Sequence, residues 1–214
     1  MSSSVFENNT ARRGTDDADH HDPAAPDPAE GTVKKRSWPR RRPILSGLLV
    51  LSVALTGYTV WTNTQPVRIT ASLELRATPD EVWEVLSDFE KYPEWNPFIT
   101  SAEVTSDSGR VEEGATLRNR MHDASGDTTF TPTIQKVDPG RELKWLGKVE
   151  PGWIADGQHR FHIERIGPDR VRFTQTERFT GVAVPFLKGH LEEKTLPQFH
   201  AMNEALQERL DALR

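Results

Sequence analysis

Cysteine is absent from the 214-residue chain, which excludes disulfides, thiol nucleophiles, iron–sulfur clusters and Cys-ligated zinc. The absence names no redox compartment, since any of them tolerates it. Glycine and proline, 14 and 15 residues, are too few for a collagen-like or wholly disordered chain. Positive charge is not in excess: the net charge is −5, and nothing in the whole chain marks a nucleic-acid binder. There is no H-E-x-x-H, no P-loop glycine pattern and no G-x-S-x-G, so these metalloprotease, nucleotide and serine-hydrolase signatures are missing. Apolar residues make up 35%, an average over three unlike parts.

Residues 1–42 hold almost no large apolar side chain and read as a disordered tail, because they cannot bury enough surface to offset the entropy of ordering. His20 and His21 stand in this tail without a surrounding ligand cluster and read as solvated. The tail ends in a basic cluster of Lys34, Lys35, Arg36, Arg40, Arg41 and Arg42. The next stretch carries no charge from Pro43 to Val67. Nineteen helical residues span about 28 Å, close to the thickness of a bilayer's hydrocarbon. Residues 43–63 therefore read as a transmembrane helix with Tyr58 and Trp61 at its far interface. A buried core helix, a late secretory signal and a twin-arginine-like export signal in "RRRPILSGLLV" are the competing readings. The charge asymmetry puts the tail in the cytoplasm and the C-terminal part outside, as a single-pass cell-membrane protein whose basic cluster meets anionic lipid.

Residues 67–214 form the folded part. "VRITASLEL" alternates as a strand. "ATPDEVWEVL" then starts a helix, with Thr78 as N-cap, Pro79 at the first position and Glu81 completing a capping box. Cap duty accounts for these carboxylates. "SDFEKYPEWNPFI" is a helical turn and a break, in which Trp95 and Phe98 are either lid or core residues. Strands are expected near 99–107, 115–123, 128–137, 141–148, 157–166 and 170–180, separated by "SDSG", "ASGD", "DPGR" and "GPDR". Helical spacing of Phe199, Met202, Leu206, Leu210 and Leu213 marks a last helix over about 186–213, which starts or kinks at Pro197. One helix cannot cover both faces of a seven-stranded sheet, so the sheet should curve around it and leave an apolar interior, either packed or hollow.

The strings "ATPDEVWEVLSDFEKYPEWNPFI", "VDPGRELKW", "HRFHIERIGPDRVRFTQTERFTG" and "FHAMNEAL" resemble, in order, the START-related superfamily of polyketide cyclases/dehydrases and lipid-transport proteins. The resemblance spans about 67–213. It implies an α+β helix-grip fold, a curved seven-stranded antiparallel sheet around a long C-terminal helix, with a cavity between them. It implies no single function, because carriers, cyclases, hydrolases and assembly factors share that fold.

Period-two arithmetic sorts the lining. Phe161 and Ile163 bring His159 inward, Val171, Phe173 and Phe179 bring Gln175 and Glu177 inward, and Leu117 and Met121 bring Asn119 inward. Trp145 comes from "RELKW" and Trp153 from the following loop. The expected ligand-binding set is Asn119, Met121, Trp145, Trp153, His159, Phe161, Phe173, Gln175, Glu177, Phe199 and Met202. Of these, only His159 and Glu177 are candidates for acid–base catalysis. No metal site is expected: His159 and His162 point to opposite faces of a strand, and His200 with Glu204 reads as a surface helix pair. No cofactor is implied. The leading expectation is a membrane-anchored binding module, not an enzyme, for a small hydrophobic or amphipathic ligand, lipids included. A cyclase or dehydratase acting on a polyketide-like substrate and a protein-assembly scaffold are the alternatives. The sequence specifies no oligomeric state.

Overall fold

The computed structural model describes residues 41–123, 126–149 and 151–214. The expected disordered tail, the His20–His21 pair and the basic cluster before Arg41 lie outside these residues. The first element is helix α1 (Arg41–Thr64). Its segment Pro43–Thr64 is long and apolar enough to cross a membrane, and none of its apolar window is buried against protein.

Strand β1 (Val67–Leu75) leads into helix α2 (Pro79–Ser87). The start of α2 is fixed by local chemistry. The Thr78 N–H donates to Glu81 Oε2 at 2.7 Å and the Glu81 N–H donates back to Thr78 Oγ1 at 3.3 Å. These bonds from Thr78, backbone first, hold the Glu81 carboxyl below its ordinary range. A single 3-10 turn (Phe89–Lys91) and the short helix α3 (Tyr92–Trp95) follow. Here Tyr92 is fully buried and donates its hydroxyl to the Leu86 carbonyl at 2.7 Å.

Seven more strands and one helix complete the chain: β2 (Ile99–Val104), β3 (Leu117–Asp123), β4 (Gly126–Phe130), β5 (Thr133–Asp138), β6 (Glu142–Val149), β7 (Ala155–Gly167), β8 (Arg170–Thr180) and α4 (Val184–Ala212). Among the described residues the strands number eight, not seven. The segment expected as one strand over 128–137 is broken at Thr131–Pro132, because proline has no N–H to give to a ladder. The break divides the meander into a five-stranded sheet, β1-β8-β7-β6-β5, and a three-stranded sheet, β2-β3-β4, all antiparallel. Main-chain bonds from Leu117 N to Pro132 O and from Ile134 N to Ala115 O stitch the two sheets at the corner. Helix α4 starts two residues before the expected point and carries Pro197 in its interior. Leu213, expected on its apolar face, lies beyond the helix and is exposed.

The domain has two ends. At the far end lie residues 76–80, the β5–β6 turn, the β7–β8 turn and the C-terminus, joined by contacts such as Arg214 to the Arg76 carbonyl. At the near end α1 passes into β1, the β6–β7 loop reaches Trp153, and β8 turns into α4 at Gly181. Between them the main core gathers Leu75, Val82, Leu86, Leu117, Ile134, Leu143, Ile163, Val171, Phe173, Leu206 and Leu210. Val82 and Leu86 come from α2 and Ile134 from the start of β5; the others on β1, β6, β7, β8 and α4 belong to the far half of their elements. A small satellite of Ile69, Ala71 and Phe199 sits in the near half.

Candidate functional site

The near half holds a cavity of about 480 Å³ between the sheets and α4, within the range of small-molecule pockets. Its cause is side-chain size. On β6 and β7 the inward positions of the far half carry Leu143, Trp145, Phe161 and Ile163. Towards the near end Gly147 pairs directly with Gly157, and Ala155 follows. A ladder that loses its side chains there leaves space that α4 bridges but does not fill.

The floor is aromatic and polar together. His159 and Glu177 are opposite each other on β7 and β8. The His159 Nδ1 to Glu177 Oε2 distance is 2.6 Å, with the two side chains 11% and 12% exposed. A carboxylate only accepts, so the shared proton sits on Nδ1 and the ring is fixed in orientation. Trp145 stacks on the imidazole at 5.2 Å between centroids and 18° between planes. Phe161 and Phe199 meet it edge-on at 4.5 and 5.1 Å. His159 Nε2 has no hydrogen-bond partner. Two residues along β8, the wholly buried Gln175 donates its amide to Asn203 Oδ1 at 2.6 Å and to the Phe199 carbonyl at 3.3 Å, which ties α4 to the sheet. Its own carbonyl oxygen is unpartnered.

Met121, Trp145, His159, Phe161, Gln175, Glu177, Phe199 and Met202 all line this space. Three expected residues do not. Phe173 is fully buried in the far core and stacks on Phe161 at 5.7 Å; its face is inward as period two requires, but it lies too far along β8. Asn119 is buried beside the core at 1% exposure, not at the cavity wall. Trp153 is 58% exposed on the near-end loop, because alternation says nothing about a residue outside a strand.

Other lining residues stand outside that expected set, though alternation places Phe179 on the inward face and Phe98 is a lid or core candidate. Phe179 continues the inward face of β8, and Leu187, Leu191, Thr195 and Gln198 continue the α4 stripe towards its start at the helical spacing already seen in Phe199 and Met202. Phe130 and Thr128 come from β4, whose existence depends on the break at Pro132. Phe98 also reaches the lining, while Asn96 fixes the approach by accepting the Phe98 and Ile99 N–H groups at 3.0 Å each. Trp95 packs against the core and meets Tyr92 edge-on at 5.1 Å, so in "EWNPF" the tryptophan is structural and the phenylalanine lines the space.

Among the described residues no group of three His, Asp or Glu side chains is placed to hold a metal ion. His200 and Glu204 are exposed on α4. On the outer face of the sheet, the Arg160 guanidinium donates to Glu142 Oε2 at 2.6 Å and holds that carboxyl below its ordinary range. Burial pushes the Tyr92 phenol up.

A bent antiparallel sheet, a long C-terminal helix closing it and an apolar space between the two define a START-like helix-grip domain. The chain belongs to the polyketide cyclase / dehydrase and lipid transport family, whose model matches residues 66–214. Solved structures with the same fold include a START superfamily protein from Mycobacterium smegmatis, at 22% identity and a TM-score of 0.55, covering 69% of this chain and 99% of that one. The Zhui aromatase/cyclase from Streptomyces sp. R1128 is 17% identical with a TM-score of 0.57, over 69% of this chain and 94% of that one. A Thalictrum norcoclaurine synthase in complex with a transition-state analogue is 19% identical with a TM-score of 0.53, over 68% and 96%. At these identities the likeness is one of fold. No curated protein matches the sequence.

Proposed function

We propose that the protein is a membrane-anchored binding module for a small hydrophobic or amphipathic molecule. Residues 43–63 form the single membrane span, the tail 1–42 stays in the cytoplasm with its basic juxtamembrane cluster against anionic lipid, and the domain 67–214 stands outside. The observation that carries the reading is the cavity itself. Its walls are mostly apolar, with one imidazole–carboxylate pair and one amide at the floor. Apolar burial, at about 25 cal/mol per Å² removed from water, drives uptake, and the polar floor orients the guest.

The test uses the full chain in detergent micelles with a diazirine-bearing palmitic acid as probe. After irradiation, label is expected on peptides carrying Trp145, Phe199 and Met202, and excess unlabelled palmitic acid should prevent it. Label confined to α1, or absent, would overturn the reading. Orientation is tested separately. The chain lacks cysteine, so an impermeant maleimide applied to intact cells should modify Asp169→Cys and spare Ser2→Cys.

The His159–Glu177 contact supports a second reading, acid–base catalysis of a cyclase or dehydratase type. Glu177 fixes the ring so that Nε2 is the nitrogen left for proton transfer, and three aromatic rings hold the imidazole in place. Incubation with a linear poly-β-ketone and mass analysis separates the readings: His159→Phe would abolish dehydration if it occurs, while a pure carrier returns the compound unchanged.

A further inference from the structure

The near end differs from the rest of the surface in a way the binding reading does not explain. Beside the anchor lie the β6–β7 loop "EPGWI" (150–154), charged only at Glu150, and "GVAVPFL" (181–187), the passage from β8 into the first turn of α4, which carries no charge. The far-end turns carry Asp138, Arg141, Asp169 and Arg170. Large apolar side chains stand out from the near-end turns into the surroundings: Phe186 is 82% exposed and Trp153 58%.

These turns are also fastened to the anchor. The Tyr58 hydroxyl of α1 donates to the Val182 carbonyl at 2.8 Å, and the Tyr58 and Phe186 rings meet at 6.5 Å. The Val182 N–H donates to the Trp153 carbonyl at 3.1 Å, and the Ala183 N–H to the Ile154 carbonyl at 3.1 Å. Trp153, Val182, Phe186 and Tyr58 thus form one connected patch. Gly181 makes the arrangement possible. Its φ is +129°, and a Cβ there would collide with the Ile154 carbonyl. Tyr58 lies six residues before the end of α1, about 9 Å along the axis, which is the depth of a headgroup layer below the helix end. Trp61, 52% exposed, meets Tyr58 at 5.9 Å with the rings tilted by 42°, in the same layer. Leu187, one residue beyond Phe186, is both 40% exposed and part of the cavity lining, so the patch runs into the cavity's rim.

We infer that the near end is a membrane-docking surface: Trp153 and Phe186 insert into the leaflet from which α1 emerges, and the cavity opens onto that leaflet, so that its guest is a molecule dissolved in the bilayer and not one taken from water. The inference rests on the anchored binding module proposed above. The occupant is the lipid surface because the patch is continuous with the membrane span itself, is uncharged, and carries aromatic rings at the level where rings favour the interface.

Two measurements test it. A bimane attached to Phe186→Cys in the full chain, reconstituted in phosphatidylcholine vesicles, should lose most of its emission when the acyl chains carry doxyl groups. The same label on Asp169→Cys, some 35 Å away at the other end of β8, should not change. Equal emission at both sites would overturn the docking surface. Next, the diazirine palmitic acid is supplied either in vesicles or in micelles to the full chain and to a Trp153→Ser/Phe186→Ser variant, neither position being part of the lining. Cavity labelling of the variant should fall about tenfold in vesicles and stay unchanged in micelles. Unchanged labelling in both would overturn the inference and leave the binding reading standing. Wild type unlabelled in both would instead sink the binding reading. If the variant fails in both, the bimane result decides.

Discussion

In the far half of the domain Leu143, Ile163, Val171 and Phe173 meet with no more than 4% exposure. In the near half, on three of the same strands, Gly147, Gly157, Glu177 and Phe179 stand around open space. The backbone ladder runs through both: β7 and β8 pair in one register from Asp156–Thr180 to Arg165–Val171, with a shift only at the turn beyond. A single sheet therefore carries two structural tasks without a change of fold. The far half supplies stability through close packing, and the near half gives up packing to leave room, with glycine and polar side chains where the far half has leucine and phenylalanine.

The largest difference should come from truncating a ring on each side of that boundary. Phe173→Ala removes a fully buried side chain from the far core and should cost about 3–5 kcal/mol. Phe179→Ala, on the same face of β8 but half-buried at the cavity, should cost about 1 kcal/mol. Urea unfolding of the full chain in micelles measures both, and equal losses would erase the division into halves.

Filling the space sharpens the comparison from the other side. Gly147 faces the cavity, and a Cβ added there finds only the Gly157 carbonyl, at 3.8 Å. Gly147→Leu should lower the affinity for palmitic acid about tenfold or more, with little change in the unfolding midpoint. Undiminished binding would mean that the guest lies elsewhere. Gly157→Ala acts more narrowly, since its Cβ would come within 2.6 Å of Glu177 Oε1. The carboxylate should swing off His159 at a cost of about 1–2 kcal/mol. The check is the imidazole Nδ1–H resonance, expected in the parent and absent from the variant.

Two smaller effects belong to the far half and the outer face. Thr78→Ala removes the α2 cap and should cost about 1 kcal/mol, seen as a fall of about 2–4 °C in Tm. Glu142 is held below the ordinary carboxylate range by Arg160. Its contribution is therefore complete above that range and is lost as pH falls through it towards the depressed value. Glu142→Gln should lower Tm above about pH 6 and converge with the parent as pH falls through the depressed value, which flattens this part of the acid limb. A parallel shift at every pH would contradict the ion pair.

Much of this division is local and so readable along the chain. The capping box at Thr78 and Glu81 involves residues three apart, and the inward faces of β7 and β8 follow from alternation alone. His159 and Glu177 can be placed on one lining by the same rule. Their 2.6 Å contact cannot, because it depends on the register between two strands. The cavity's origin has the same character: Gly147 and Gly157 are visible as letters, but only pairing sets them opposite each other. Phe173 shows the limit of periodicity, which gives the side of a strand and not the distance along it. Trp153 shows another, since a loop residue has no face to infer. The break at Pro132 is the reverse case, a signal present in the sequence whose consequence is a second sheet.

Proline at position 197 lies inside α4 shortly before the helix passes from the hollow half to the solid one, since Phe199 and Met202 beyond it still touch the cavity. Behind it Met202, Asn203, Leu206 and Leu210 are gripped by the core; ahead of it Lys188, Glu192 and Glu193 face water along one side while Leu187 and Leu191 roof the void. A ring without an N–H supplies nothing to the carbonyl one turn earlier, so the spiral is already nicked short of the seam. The helix bonds on either side of position 197 still span it, so the segment that roofs the void and the segment gripped by the core stay one helix with a single bond missing between them.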